Sequence, residues 1–186
     1  MKTILQVEDD PNDVFLFQHA MEKAGLMNPI QVATHGQQAI DYLQGAGKFA
    51  DREKYPLPCL VLLDLKLPYV MGLEVLKWIR QQPGTALTVL VLTASEEETD
   101  IVTAYRLGAN GFLTKPSEAS KLQDLAKAIG HFWLTHNVLP RDVCSESPSD
   151  EVVSLVPSTT TDFELKRERI NGKSREDWPR NVKVKS

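Results

Sequence analysis

Apolar residues along this chain fall into two alternating rhythms. One is a set of short, nearly unbroken runs: Thr3-Ile4-Leu5-Gln6-Val7, Ile30-Gln31-Val32-Ala33, Leu60-Val61-Leu62-Leu63, Thr88-Val89-Leu90-Val91-Leu92 and Gly111-Phe112-Leu113-Thr114. Runs that continuous predict strands buried on both faces, as in a parallel sheet covered by helices. Between them, apolar positions recur at helical spacing. Asp10-Pro11-Asn12-Asp13 opens the first such segment, with Asp10 as N-cap and Pro11 at the first helical position. Val14, Phe15, Leu16, Phe17, Ala20, Met21 and Ala24 follow, and Gly25 is its stop.

A second helix is predicted from Gly36 to Gln44, and a third after Gly72 with Leu73, Val75, Leu76, Trp78 and Ile79. Ser95-Glu96-Glu97-Glu98 reads as a capping box for a fourth, closing near Gly108. The last carries Leu122, Leu125, Ala126, Ile129 and Trp133. Five strand–helix units by about residue 137 predict an α/β fold, a doubly wound five-stranded parallel sheet with right-handed crossovers.

Beyond about Arg141 the pattern breaks. Residues 145–162 hold acids without Lys or Arg, and residues 163–186 turn basic. Val152-Val153-Ser154-Leu155-Val156 is too little for a core. The division expected is therefore a domain over 1–140 and a polar tail over 141–186, disordered or docked. At 186 residues there is no room for two full cores. The tail is also short for a DNA-binding output domain and lacks the periodic helices one needs.

Composition excludes more than it proposes. A net charge of −4 and a pI near 5.6 give no electrostatic case for nucleic acid or membrane. Cys59 and Cys144 suggest neither a disulfide framework nor a metal site. Met1 leads directly into a strand, with no signal peptide and no apolar span of membrane length, so a cytoplasmic protein is expected.

The candidate chemistry sits where the strands stop. Glu8-Asp9-Asp10 follows the first strand, Asp64 the third, Thr93 the fourth and Lys115 the fifth. Taken singly, these are a helix cap, loop acids, a solvated hydroxyl and a surface lysine. In one parallel sheet they converge on the carboxyl edge, where open α/β folds bind ligands. Asp9 with Asp64 suits Mg²⁺, a hard cation that prefers oxygen. Lys115 and the Thr93 hydroxyl suit phosphoryl oxygens, and Asp64, central in the sheet, is best placed as a nucleophile.

These residues resemble the receiver domain of two-component response regulators. Val7-Glu8-Asp9, Asp64 with Pro68 and Gly72, Thr93-Ala94, and Gly108-Ala109-Asn110-Gly111-Phe112-Leu113-Thr114-Lys115-Pro116 match it in order and spacing over residues 2–137. Phe132-Trp133-Leu134 and Leu139-Pro140 look like the single-domain receivers of the Rcp type that pair with bacterial phytochromes. The resemblance implies a flavodoxin-like strand order, 2-1-3-4-5. It implies Asp64 as phosphoacceptor, Asp9 as direct Mg²⁺ ligand, Glu8 as a ligand through water and the Lys66 carbonyl completing the set. Thr93 and Lys115 would bind the phosphoryl group, Thr93 and Phe112 would act as the switch, and Lys115–Pro116 would be a cis peptide.

Three positions depart from the family. Met71 stands where Asp usually precedes Gly72, Phe112 stands where Tyr is frequent, and Ser117 replaces an apolar residue. Function then reads as a phosphorylation switch, not an enzyme with a separate substrate. A sensor histidine kinase donates to Asp64, and output passes through a partner or a homodimer. Val102, Tyr105, Phe132 and Trp133 offer apolar surface for that dimer. Lys66 and Ser95, each two residues beyond a site residue, are expected to border the hydrolytic water and tune phosphate lifetime. An aspartyl-phosphate-forming phosphatase would need a cap insertion, and a pseudo-receiver scaffold would be expected to lose Asp9, Asp64 or Lys115.

Overall fold

The structure, a computed structural model, describes residues 2–82 and 86–138. The tail expected over 141–186 lies outside the described residues. Five strands, β1 (Ile4–Val7), β2 (Ile30–Ala33), β3 (Leu60–Leu63), β4 (Thr88–Thr93) and β5 (Gly111–Thr114), alternate with α1 (Pro11–Lys23), α2 (Gly36–Gln44), α3 (Gly72–Gln81), α4 (Glu98–Arg106) and α5 (Ala119–Ile129). All strand pairs are parallel, in the order β2-β1-β3-β4-β5. That is the order the resemblance implied.

Alternating strand residues feed two cores. Leu5, Val7, Val61, Leu63, Val89 and Val91 face α2, α3 and α4, meeting Tyr42, Leu76, Ile79 and Ala104. Ile4, Leu60, Leu62, Leu90 and Leu92 face α1 and α5, meeting Phe17, Met21, Ala126 and Ile129. Leu62 and Leu90 are 1% and 0% exposed. Truncating either to Ala therefore costs about 2–5 kcal/mol in lost transfer energy and cavity formation. This two-sided burial explains the unbroken apolar runs. It also leaves only the strand ends free to carry polar chemistry.

Helix ends follow the local signals in most places. Asp10 caps α1 by accepting from the Asn12 N–H at 2.8 Å, with Pro11 in the first turn. Gly25, after the last turn, takes φ 76°, a left-handed conformation that a Cβ would disfavour. The Arg52 guanidinium satisfies the end of α2 by donating to the carbonyls of Tyr42 and Leu43, at 2.8 Å each.

Two expectations fail. The capping box at Ser95 does not form: α4 begins at Glu98 with Glu97 as N-cap. Ser95 is buried, and its hydroxyl donates instead to Asp100 Oδ2 at 2.6 Å. Lys115–Pro116 is trans, not cis, since no described peptide bond is cis. The prolyl amide favours trans by about 0.5–1 kcal/mol, and the backbone takes that form here.

Past Ile129 the last helix does not stop but widens. Gly130–His136 is π-helical. Leu134 in it is buried, and its carbonyl accepts from Lys2 Nζ at 2.8 Å. Gly130 lies so close to Leu26 that a Cβ would sit 2.2 Å from its Cδ1. The segment is thus held to the domain at Gly130 and at Leu134.

Candidate functional site

Asp64 follows the last residue of β3 and is 7% exposed. Its Oδ1 accepts from the N–H groups of Leu65 at 2.6 Å and Lys66 at 3.3 Å. Its Oδ2 faces Lys115 Nζ at 2.9 Å. One carboxylate oxygen is therefore held by backbone and the other by an ammonium, which fixes the side chain's orientation. Gly72 makes this turn possible, because a Cβ there would lie 2.0 Å from the Asp64 carbonyl oxygen. The loop between them holds Tyr69 at φ 66°, a left-handed conformation costly for a bulky residue. Met71 precedes α3, and its N–H donates to Glu74 Oε2 at 3.1 Å.

Lys115 gathers the acids. Its Nζ donates to Glu8 Oε2, to Asp13 Oδ2 at 2.9 Å and to Asp64 Oδ2, so all three ammonium protons are engaged. The side chain is 14% exposed. Burial alone would lower the lysine, but the three carboxylates outweigh it and hold it well above its ordinary value. Its backbone is also anchored, with its N–H donating to the Thr93 carbonyl at 2.8 Å. Asp13 as a partner was not expected. Its position in the first turn of a helix that starts at the strand rim was the available signal.

Glu8 is buried, and burial raises its carboxyl above 4.5; Lys115 offsets this only in part, while the Asp64 charge adds to it. Glu8, Asp9 and Asp64 each place a carboxylate oxygen within 4.8 Å of the others. Three convergent hard oxygen donors, one of them exposed and two buried, fit a small divalent cation. Beside them a small cavity is lined by Gln6, Asp13, Lys115, Pro116 and apolar residues of α1 and α5. The buried Gln6 Oε1 has no hydrogen-bond partner among the described residues.

The remaining expected residues lie around this centre. Thr93 ends β4 fully buried, and its hydroxyl accepts from the Ser95 N–H at 3.3 Å. Lys66 is exposed. Phe112 packs partly buried against the core on the α3 and α4 side, and its N–H donates to the Tyr105 hydroxyl at 3.3 Å. Val102, Tyr105 and Phe132 are exposed, as the dimer reading needs. Trp133 is not available in the same way, because it packs against the core beneath α1 and α5.

A doubly wound sheet thus carries at its carboxyl edge three convergent carboxylates, the buried Asp64 among them, and a lysine that reaches across to Glu8 and Asp64. Residues 4–127 match the response regulator receiver domain, and the chain belongs to that family of phosphorylation-dependent signalling proteins. Response regulator Rcp1 of Synechocystis sp. is 36% identical over 140 residues, covering 75% of this chain and 93% of Rcp1. The phosphorylated cyanobacterial phytochrome response regulator RcpA superposes with a TM-score of 0.70 at 36% identity, over 75% of this chain and 98% of RcpA. The Mn²⁺-bound form of Rcp1 superposes with a TM-score of 0.68 at 36% identity, over 75% and 99%. The similarity to phytochrome-associated response regulators was legible from the sequence.

Proposed function

We propose that Asp64 accepts a phosphoryl group from the phosphohistidine of a sensor kinase. The observation that carries this is the Lys115 ammonium, which joins Asp64 to Glu8 and Asp13 on the strand rim. Asp64 Oδ2, on the lysine side, is the attacking oxygen. The new P–O bond forms as the donor's P–N bond breaks, and the leaving imidazole takes up a proton. Oδ1 stays on the Leu65 and Lys66 N–H groups, so the carboxylate need not reorganise during transfer. Lys115 moves its hydrogen bonds to the incoming phosphoryl oxygens, and the Thr93 hydroxyl supplies a further donor.

Asp9, Asp64, the Lys66 carbonyl and, through water, Glu8 would hold Mg²⁺. When bound, Mg²⁺ supplies positive charge where phosphoryl oxygens crowd the carboxylates. Mg²⁺ is favoured over softer metals because every donor is oxygen.

The chain acts as a signal relay rather than an enzyme that turns over a separate substrate. Thr93 reorients toward the phosphoryl group and Phe112 shifts with it. That changes the face built by α4, β5 and α5. A bacterial phytochrome is the proposed kinase partner, supported by the likeness to RcpA, and the cytoplasm is the proposed compartment. Among the described residues no helix is long and apolar enough to cross a membrane. Exposed Val102, Tyr105 and Phe132 support a homodimer strengthened by phosphorylation. A monomer by sedimentation at roughly tens of micromolar in both phosphorylation states would refute the dimer.

Acetyl phosphate with Mg²⁺, followed by intact mass, tests the central reading. Wild type gains one phosphate and Asp64→Ala gains none. Equal incorporation by Asp64→Ala would overturn it. The same experiment opposes a scaffold, which would take up no phosphate.

A further inference from the structure

The Gly130–His136 segment brings two histidines together that a regular helix would separate. On an α-helix, residues five apart point about 140° away from each other. The wider π turn, with its i→i+5 repeat, sets them on one side instead. His131 Nε2 and His136 Nε2 are 3.3 Å apart, with ring centroids 4.4 Å apart and planes at 70°. Both residues are exposed.

We propose that His131 and His136 form a two-imidazole site for a late first-row divalent cation such as Zn²⁺. Imidazole nitrogens bind Zn²⁺ at about 2.0–2.1 Å, and a tetrahedral angle between two of them separates the nitrogens by about 3.3–3.4 Å. The observed 3.3 Å has the length of that chord, and the two ring torsions turn both lone pairs onto the ion. Without a cation, one ring's N–H can donate to the other ring's nitrogen across that distance, and a bound cation takes the place of the shared proton. Imidazole selects Zn²⁺, Cu²⁺ and Ni²⁺ over Mg²⁺, so this site and the all-oxygen rim divide the metals between them by ligand type.

The site is also preorganised. Buried Leu134, the Lys2 contact to its carbonyl and the close approach of Gly130 to Leu26 hold the backbone between the two histidines. The Thr135 hydroxyl donates to the Gly130 carbonyl at 3.2 Å, and the Asn137 N–H to the Phe132 carbonyl at 2.7 Å. Binding therefore orders little besides two ring torsions. Water fills the remaining coordination positions. A bound cation clamps the turn that presents exposed Phe132.

The test is Zn²⁺ titration of the full chain with Mg²⁺ in excess to occupy the acidic rim, followed by calorimetry and histidine-ring NMR. Ring signals of His131 and His136 are expected to move together, while those of His19 and His35 stay in place. Loss of an outer-shell partner alone weakens metal sites about 10–100-fold. His131→Gln or His136→Gln should therefore weaken Zn²⁺ binding by at least about tenfold, with circular dichroism unchanged. Wild-type affinity in both variants, or Zn²⁺-induced shifts at His19 or His35 in place of this pair, would overturn the proposal. The NMR result on wild type does not depend on the variants folding.

Discussion

Replacing Lys115 with Met removes the one ammonium that three carboxylates share while keeping most of the side-chain volume. At an effective dielectric of 20, an opposite-charge contact near 4 Å is worth about 4 kcal/mol before desolvation. Glu8, Asp13 and Asp64 all contact this ammonium, and Glu8 and Asp64 have side chains only 4% and 9% exposed. Breaking a buried ion pair from one side costs about 3–5 kcal/mol, because it strands the other charge. Lys115→Met is therefore expected to lose about 3–5 kcal/mol of unfolding free energy in EDTA at neutral pH. Mg²⁺ should restore more stability to the variant than it adds to wild type. A ligand at about 100 times its Kd adds about 2.7 kcal/mol by mass action, and the variant's acids are free of the competing lysine.

Acidification should narrow the gap as well. Glu8 has a carboxyl raised by burial, so its contribution is fully present below 4.5 and is lost as pH rises through its folded value. Without Lys115 that folded value climbs further, and lowering the pH toward 4.5 relieves the repulsion with Asp64. Urea unfolding in EDTA and in Mg²⁺, at neutral and mildly acidic pH, measures all of this. Equal stability of variant and wild type in EDTA would refute the view that Lys115 neutralises the rim in the metal-free protein.

Other outcomes follow from single contacts. Burial raises the Tyr42 hydroxyl from 10.0 to about 12. Its stabilising contribution is complete below pH 10 and disappears between pH 10 and about 12. The gap corresponds to about 3 kcal/mol. Tyr42→Phe should flatten that alkaline limb in denaturation curves while losing about 1 kcal/mol at neutral pH, since the bond to the Pro56 carbonyl at 2.7 Å is gone. An unchanged alkaline limb would show that Tyr42 does not titrate as argued. Self-dephosphorylation should be slow in wild type and faster in Lys66→Asn, where the long side chain no longer obstructs water. Phos-tag gels decide this, and a Lys66→Asn rate at or below wild type removes the side chain from the role.

The sheet was legible because burial on both faces leaves little room for polar interruption, so the strand runs announced themselves and their ends located the rim. Asp64, Asp9, Glu8, Thr93 and Lys115 were singled out through that placement, not through any local peculiarity. Asp13 escaped because a first-turn acid has an adequate local explanation in the helix dipole. Ser95 misled for a related reason: a capping box is a short-range pattern, and it gave way to burial and to the tertiary bond with Asp100. The His131–His136 pair was not legible at all. Its juxtaposition depends on a π turn, which apolar spacing read at 3.6 residues per turn does not reveal.

The phosphoryl acceptor itself can be read directly. An acyl phosphate on aspartate is reduced by borohydride to homoserine, which marks the modified position in a peptide map. After treatment with acetyl phosphate and Mg²⁺, homoserine is expected at position 64 and nowhere else. Homoserine at position 9 or 13, or phosphate on a histidine that borohydride leaves untouched, would contradict the assignment of Asp64.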